Sequence, residues 1–225
     1  MKAVILAGGR GSRLGKLTES MPKSLVEVSS RPILEHLIRN ASEAGIRDYV
    51  INTGYLGHMI QEYFGDGSTF GVNIQYFGSV GKGPEQPIFT ARGYLGEGTF
   101  CCFCSDNILL PSQIERIIKF HSQASADATF TLEQGEPTRT KRVRLKGDRV
   151  VGSSTSVANP VLVYNMAMQT AFLDMLYETV KDRDDKAFAY AMDGLAGKYR
   201  IYALGILFIN INLPEDIPHA ERILK

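Results

Sequence analysis

A chain of 225 residues with 44% hydrophobic content can bury a sizeable core and is compatible with one large α/β domain. Its 25 basic and 24 acidic residues leave a formal charge of +1, which excludes a global field toward nucleic acid or an anionic membrane and makes any phosphate affinity local. Cys101, Cys102 and Cys104 crowd into one apolar stretch, too close together for a disulfide loop or a zinc site, and read as core packing in a reducing compartment. The N-terminal apolar run is too short for a signal peptide and no later run approaches the ~20 apolar residues of a membrane span, so a cytoplasmic location is expected.

Ala3 to Ala7 is a continuous apolar run ending in glycines, as a strand buried on both faces of a parallel sheet would be. Pro32 to Ala44 carries Ile33, Leu34, Leu37, Ile38 and Ala41 at helical spacing and is closed by Gly45. Tyr49 to Asn52 reads as a second strand, Gly57 to Phe64 as a second helix and Val72 to Phe77 as a third strand. A helix over Pro87 to Tyr94 leads to the strand Phe100 to Cys104, and Pro111 to Ser122 is a further helix presenting Ile114, Ile117, Ile118 and His121 on one face. This alternation predicts an α/β fold with a doubly wound, mostly parallel, Rossmann-like sheet.

The second half changes character. Ala128 to Leu132, Arg142 to Leu145, Val150-Val151 and Val161 to Tyr164 read as short strands, with a hairpin turn at Gly147-Asp148, which predicts a small antiparallel extension. Helices over Gln169 to Val180 and Asp185 to Leu195, a strand near Ile201 to Leu204 and a short helix after Pro214 complete the chain. A single domain is expected, with halves at 1–110 and 111–225, and neither an internal repeat nor a low-complexity segment interrupts it.

Gly8-Gly9-Arg10-Gly11-Ser12-Arg13 follows the first strand directly. Glycines there let backbone N–H groups approach phosphate oxygens, and Arg13 adds a delocalised charge. The loop is not a dinucleotide fingerprint, because Leu14 stands where the last glycine would be, and it lacks the Gly-Lys-Ser/Thr ending of a P-loop. Asp106 follows the buried strand ending at Cys104, at the carboxyl edge where open α/β sheets bind ligands, and one such aspartate can anchor Mg²⁺ already held by a triphosphate.

Leu6-Ala7-Gly8-Gly9-x-Gly11-Ser12-Arg13-Leu14, Leu17-Thr18, Pro22-Lys23-x-Leu25 and Pro32-Ile33-Leu34 occur in order. The pattern continues through Asn52-Thr53-Gly54-Tyr55-Leu56-Gly57, Phe64-Gly65-Asp66-Gly67-Ser68-x-Phe70-Gly71-Val72 and Ala91-x-Gly93-Tyr94-Leu95-Gly96. It closely resembles the sugar-phosphate nucleotidyltransferase family, densely over the first half of the chain and thinly over the rest.

The resemblance implies a nucleotidyltransferase fold with a nucleotide-binding half over 1–110 and an acceptor-binding half over 111–225. It implies Mg²⁺-dependent transfer of a nucleotidyl group from a nucleoside triphosphate to a sugar 1-phosphate, releasing pyrophosphate. In that reading Leu6, Ala7, Gly8, Gly9, Gly11 and Ser12 line the nucleotide, Arg13 holds the triphosphate, and Lys23 reaches both the α-phosphate and the acceptor phosphate. Gly83 and Gln86 lie in the turn that approaches the base, and Asn159 fits a sugar-contacting asparagine. Asp106, in Ser105-Asp106-Asn107, matches a metal-binding aspartate, and Asn210, ahead of Pro214-Glu215-Asp216, matches the residue that completes the metal site. The structural alternatives are a surface lysine at 23, a capping aspartate at 106 and turn-forming asparagines at 210 and 212.

Departures from the family pattern fall on the acceptor side. Thr155-Ser156-Val157 stands where relatives carry a phosphate-binding lysine, and Thr140-Lys141 replaces a Tyr-Gly pair. Arg139, Lys141, Arg142, Arg144, Lys146 and Arg149 alternate with Val143 and Leu145 and read as a solvated strand face outside the catalytic site. Two alternatives follow: a non-sugar acceptor such as a polyol or choline phosphate, and a nucleotide-sugar binding protein that has lost catalysis. A glycosyltransferase is weaker, lacking an Asp-x-Asp metal motif. The oligomeric state is left open, with a homo-oligomer compatible.

Overall fold

The computed structural model describes residues 1–78, 85–133, 142–154, 156, 160–182 and 188–224. In chain order, β1 (Lys2–Ala7) leads through two 3₁₀ segments, Ser12–Thr18 and Lys23–Leu25, to the two-residue strands β2 (Glu27–Val28) and β3 (Arg31–Pro32). Then come α1 (Ile33–Glu43), β4 (Asp48–Thr53), α2 (Gly57–Phe64), β5 (Asn73–Gly78), α3 (Glu85–Ala91), β6 (Thr99–Cys104), β7 (Asn107–Ile108) and α4 (Pro111–Gln123). The chain continues with β8 (Ala128–Glu133), β9 (Arg142–Lys146), β10 (Arg149–Ser154), β11 (Val161–Gln169), α5 (Thr170–Val180), α6 (Phe188–Leu195), β12 (Ile201–Leu204), β13 (Ile209–Asn210) and α7 (Asp216–Ile223).

Two compact units share this chain, and each is discontinuous in sequence. The first takes Met1–Ser79, Phe103–Ile114 and Phe208–Lys225; the second takes Val80–Cys102 and Glu115–Leu207. A cut at position 110 therefore does not separate them, because residues 208–225 fold with residues 1–79.

In the first unit β1, β4 and β5 are parallel, in register from Lys2↔Asp48 to Ala7↔Thr53 and from Asp48↔Asn73 to Thr53↔Gly78. Ala3, Val4 and Ile5 are fully buried, which explains a strand without polar alternation. Helix α1 buries Ile33, Leu34, Leu37, Ile38 and Ala41 and ends where Gly45 takes a left-handed φ of 93°. The Gly45 N–H then reaches Ser42 O at 3.0 Å and the Ile46 N–H reaches Ala41 O at 2.9 Å, satisfying carbonyls the helix leaves open.

A separate apolar cluster of Leu14, Val26, Val28, Ile33, Ile108, Ile211 and Ala220 draws on the loop after β1, on β7, on the residue after β13 and on α7. It matters for function because Leu14 follows Arg13, Ile108 stands two residues after Asp106, and Ile211 separates Asn210 from Asn212. One hydrophobic contact set thus anchors three polar segments distant in sequence.

In the second unit the strands are mixed. β11 runs antiparallel to β6 and β8, β12 lies parallel to β8, and β10 is antiparallel to both β12 and β9. β11 is longer than the four residues read from sequence, running to Gln169 with a bulge between Val163 and Ala167. The aromatic core centres on Phe188, whose ring lies 5.3 Å from Phe89, 5.5 Å from Tyr164 and 6.3 Å from Phe130. Cys101 and Cys102 are buried and Cys104 is half-buried. On β9 and β10, Arg144, Lys146 and Arg149 face solvent, whereas Arg142 is buried at the start of its strand, opposite Val161. Arg139 and Lys141 lie outside the described residues.

Candidate active site

The glycine loop begins at the carboxyl end of β1. Leu6 is half-buried, its carbonyl accepting the Ser105 N–H at 3.2 Å, and Ala7 is buried. Gly8 packs so closely on the turn after β4 that a Cβ on Gly54 would come within 2.4 Å of Gly8 O. Gly9, Ser12 and Arg13 are exposed. The Arg10 guanidinium lies 5.1 Å over the Tyr55 ring, and the Tyr55 hydroxyl donates to Glu19 O at 2.8 Å.

Gly11 turns the loop with a left-handed φ of 69°. Its carbonyl accepts the Leu14 N–H at 2.9 Å and the Thr18 hydroxyl at 3.0 Å. A Cβ at Gly11 would stand 2.6 Å from Lys23 Cβ, so the absent side chain is what lets the lysine stem pass behind the loop.

Lys23 is only 9% exposed and donates from Nζ to Asp106 Oδ2 at 2.7 Å and to Asn212 Oδ1 at 2.9 Å. The same Asn212 oxygen accepts from Arg13 Nη2 at 2.6 Å. Two cations therefore meet one carboxylate and one amide oxygen, leaving a local charge of +1 suited to phosphate. Asp106 lies just past β6, where its backbone carbonyl accepts the Ile211 N–H at 2.9 Å. The Asn212 backbone is held in turn by Asp216, whose Oδ2 accepts the N–H groups of Asn212 and Leu213, each at 2.7 Å.

Of the residues read from sequence, Arg13, Lys23 and Asp106 are joined by these contacts. Asn210 pairs in β13 with Asn107 of β7, and its Oδ1 is buried with no hydrogen-bond partner among the described residues. Asn212, read from sequence only as a turn former, is the amide that enters the polar cluster. Nothing in an Asn-x-Asn spacing tells the two apart, since the deciding partners lie 189 and 199 residues away. Gln86 belongs to the second unit, on the first turn of α3, with its carbonyl accepting the Thr90 hydroxyl at 3.0 Å. Gly83 and Asn159 lie outside the described residues.

Magnesium, which the resemblance implies, finds compatible donors here. Among the described residues no three His, Cys, Asp or Glu side chains converge; the oxygens that meet at Lys23 are those of the Asp106 carboxylate and the Asn212 amide, and Asn210, paired with Asn107 next to Asp106, carries a further amide oxygen. Such hard oxygens suit Mg²⁺ when phosphates and water fill the rest of its octahedron. The orphaned Asn210 acceptor, and the cation already seated between Asp106 and Asn212, both fit that requirement.

Comparison with known proteins accords with this geometry. The mannose-1-phosphate guanylyltransferase of Mycobacterium tuberculosis is 34% identical over 137 residues, 60% of this chain and 38% of its own length. The glucose-1-phosphate thymidylyltransferase of Streptomyces griseus is 32% identical over 163 residues, 71% of this chain and 46% of its own. The chain thus spans less than half the length of these curated relatives. A UDP-glucose pyrophosphorylase solved with UDP-glucose has the same fold, with a TM-score of 0.79 at 17% identity over 99% of this chain and 97% of that one. The Nucleotidyl transferase family matches residues 2–140, well over half the chain, and this protein is a member of that family.

Proposed function

We propose that the protein is an enzyme that transfers a nucleotidyl group from a nucleoside triphosphate to a sugar 1-phosphate with Mg²⁺, forming a nucleoside-diphosphate sugar and pyrophosphate. The observation that carries this reading is the meeting of Lys23 with Asp106 and of Lys23 and Arg13 with Asn212, behind a glycine loop at the end of β1. The named activities of the relatives support it.

The reaction breaks the bond between the α-phosphorus and the β-phosphate bridge as an acceptor phosphate oxygen attacks in line. Negative charge grows on the equatorial oxygens and on departing pyrophosphate, so catalysis is mainly positioning and charge neutralisation. Arg13, exposed on the loop, binds the triphosphate tail. Lys23 holds the α-phosphate and the incoming acceptor phosphate on its flexible stem. Backbone N–H groups of the Gly8–Ser12 loop line the nucleotide. Asp106, with the amide oxygens of Asn210 and Asn212, would hold Mg²⁺. When bound, the ion supplies Lewis-acid neutralisation of the phosphate oxygens. No covalent enzyme intermediate is needed.

Pyrophosphate release from each common nucleoside triphosphate, against a panel of sugar 1-phosphates together with polyol and choline phosphates, tests the reading. Turnover that Asp106→Ala abolishes is expected. No release with any pair, with nucleotide still bound, would favour a binding protein.

A further inference from the structure

Lys23 Nζ sits where two oxygen donors converge, 2.7 Å from Asp106 Oδ2 and 2.9 Å from Asn212 Oδ1. We infer that this ammonium is the resident counter-ion of Asp106 in the nucleotide-free protein, and that a divalent cation gains the carboxylate only as Lys23 leaves it. The inference rests on the function proposed above and adds an order of loading to it.

Exclusion follows from size and charge. Mg²⁺ binds oxygen at ~2.0–2.1 Å in a near-ideal octahedron, so an ion drawn to Asp106 Oδ2 and Asn212 Oδ1 would bring a double positive charge close against the ammonium that both oxygens already hold, and their repulsion drives one of the two cations out. The lysine side chain is 11% exposed and that of Asp106 29%, so water screens their attraction less than at an open surface. Lys23 is also confined from behind, since its Cβ lies only 2.6 Å from where a Cβ on Gly11 would stand. Its head, on four rotatable bonds, remains free to follow a stronger anion.

A triphosphate supplies that anion. Phosphate oxygens arriving at the loop compete with Asp106 for Lys23, and their arrival frees the carboxylate for the metal they carry. Metal alone must displace the lysine with nothing to receive it. Because the two cations compete for one carboxylate, weakening Lys23 on Asp106 tightens the metal, by up to the same factor while the ion pair is fully formed. The nucleotide-free protein is therefore a poor binder of divalent cations, and the cation enters with the triphosphate rather than ahead of it.

Manganese(II) is the probe, because its binding to the nucleotide-free protein is read by electron paramagnetic resonance without turnover. Lys23→Met keeps the buried stem and removes the charge; it is expected to bind Mn²⁺ about tenfold tighter than wild type, equivalent to ~1.4 kcal/mol. Adding Asp106→Asn is expected to erase that gain. Equal or weaker binding by Lys23→Met, with a native circular dichroism spectrum, overturns the inference. Should that variant not fold, reductive methylation of the wild type gives the answer by mass spectrometry. Lys23 is expected to be protected without metal and to react faster in saturating Mn²⁺; unchanged labelling overturns the inference. Binding of Mn²⁺ that ignores Asp106→Asn also overturns it, and removes Asp106 from the metal site. The pyrophosphate assay reports on the proposed activity independently of all these outcomes.

Discussion

Replacing Gly11 with alanine separates the fold of the loop from its chemistry. The residue has a φ of 69°, where a non-glycine residue costs about 1–2 kcal/mol. The new Cβ would meet Lys23 Cβ at 2.6 Å, Cδ at 3.0 Å and Cγ at 3.1 Å, and relieving such an overlap typically costs another 1–3 kcal/mol or so. A total of roughly 2–5 kcal/mol is expected in urea unfolding, and because the clash falls on the stem of Lys23, turnover should fall by at least about a hundredfold at temperatures where the variant is folded. Gly9→Ala is the control, since Gly9 has open space around its missing Cβ and no positive φ, so its stability should shift by less than about 0.5 kcal/mol. Native stability and full pyrophosphate release in Gly11→Ala, or a larger stability loss in Gly9→Ala, would refute the packing argument.

Ile211→Ala removes a fully buried side chain from the cluster shared with Leu14 and Ile108. A loss of about 2–5 kcal/mol is expected by chemical denaturation. Because its neighbour Asn212 belongs to the polar cluster, turnover should fall at temperatures well below the new melting point. In the second unit His121 is buried, and burial pushes its pKa down to about 4. Its ring nitrogens face the Thr129 hydroxyl at 3.1 Å and the Gln169 amide nitrogen at 3.3 Å, so the nitrogen facing Gln169 must be unprotonated to accept. The unfolded chain then binds the proton more readily than the folded one. The neutral ring's contribution is full above the unfolded pKa near 6.5 and is lost as pH falls toward 4, by up to about 3 kcal/mol. Urea midpoints between pH 7 and pH 4 should show that decline, and His121→Gln should flatten it.

Much of the architecture was legible because apolar periodicity reports burial directly. Helix α2 spans the Gly57–Phe64 read from sequence, β12 spans Ile201–Leu204, and α1 ends before Gly45, where a left-handed residue is needed. What escaped has no period to read: the 3₁₀ segments at Ser12–Thr18 and Lys23–Leu25, and the two-residue pairs β2–β3 and β7–β13. Such pieces are too short for a repeat and are held by tertiary contacts such as Ile211 N–H to Asp106 O.

Arg13, Lys23 and Asp106 could be named from sequence because each stands in a recognisable local frame: a glycine loop, a Pro-Lys pair and the end of a buried strand. Asn212 has no such frame. Its function as an acceptor exists only because residues 208–225 fold with the first unit, bringing its oxygen to Arg13 and Lys23. The sequence alone determined which apolar runs are buried, where the longer strands and helices run, and which charged side chains flank the glycine loop, since those follow from local pattern. Which amide joins them, and that Lys23 lies on Asp106, only the tertiary structure decided, because hydrogen bonds of under 3 Å between residues 83 to 199 positions apart depend on how the core packs and leave no trace in spacing.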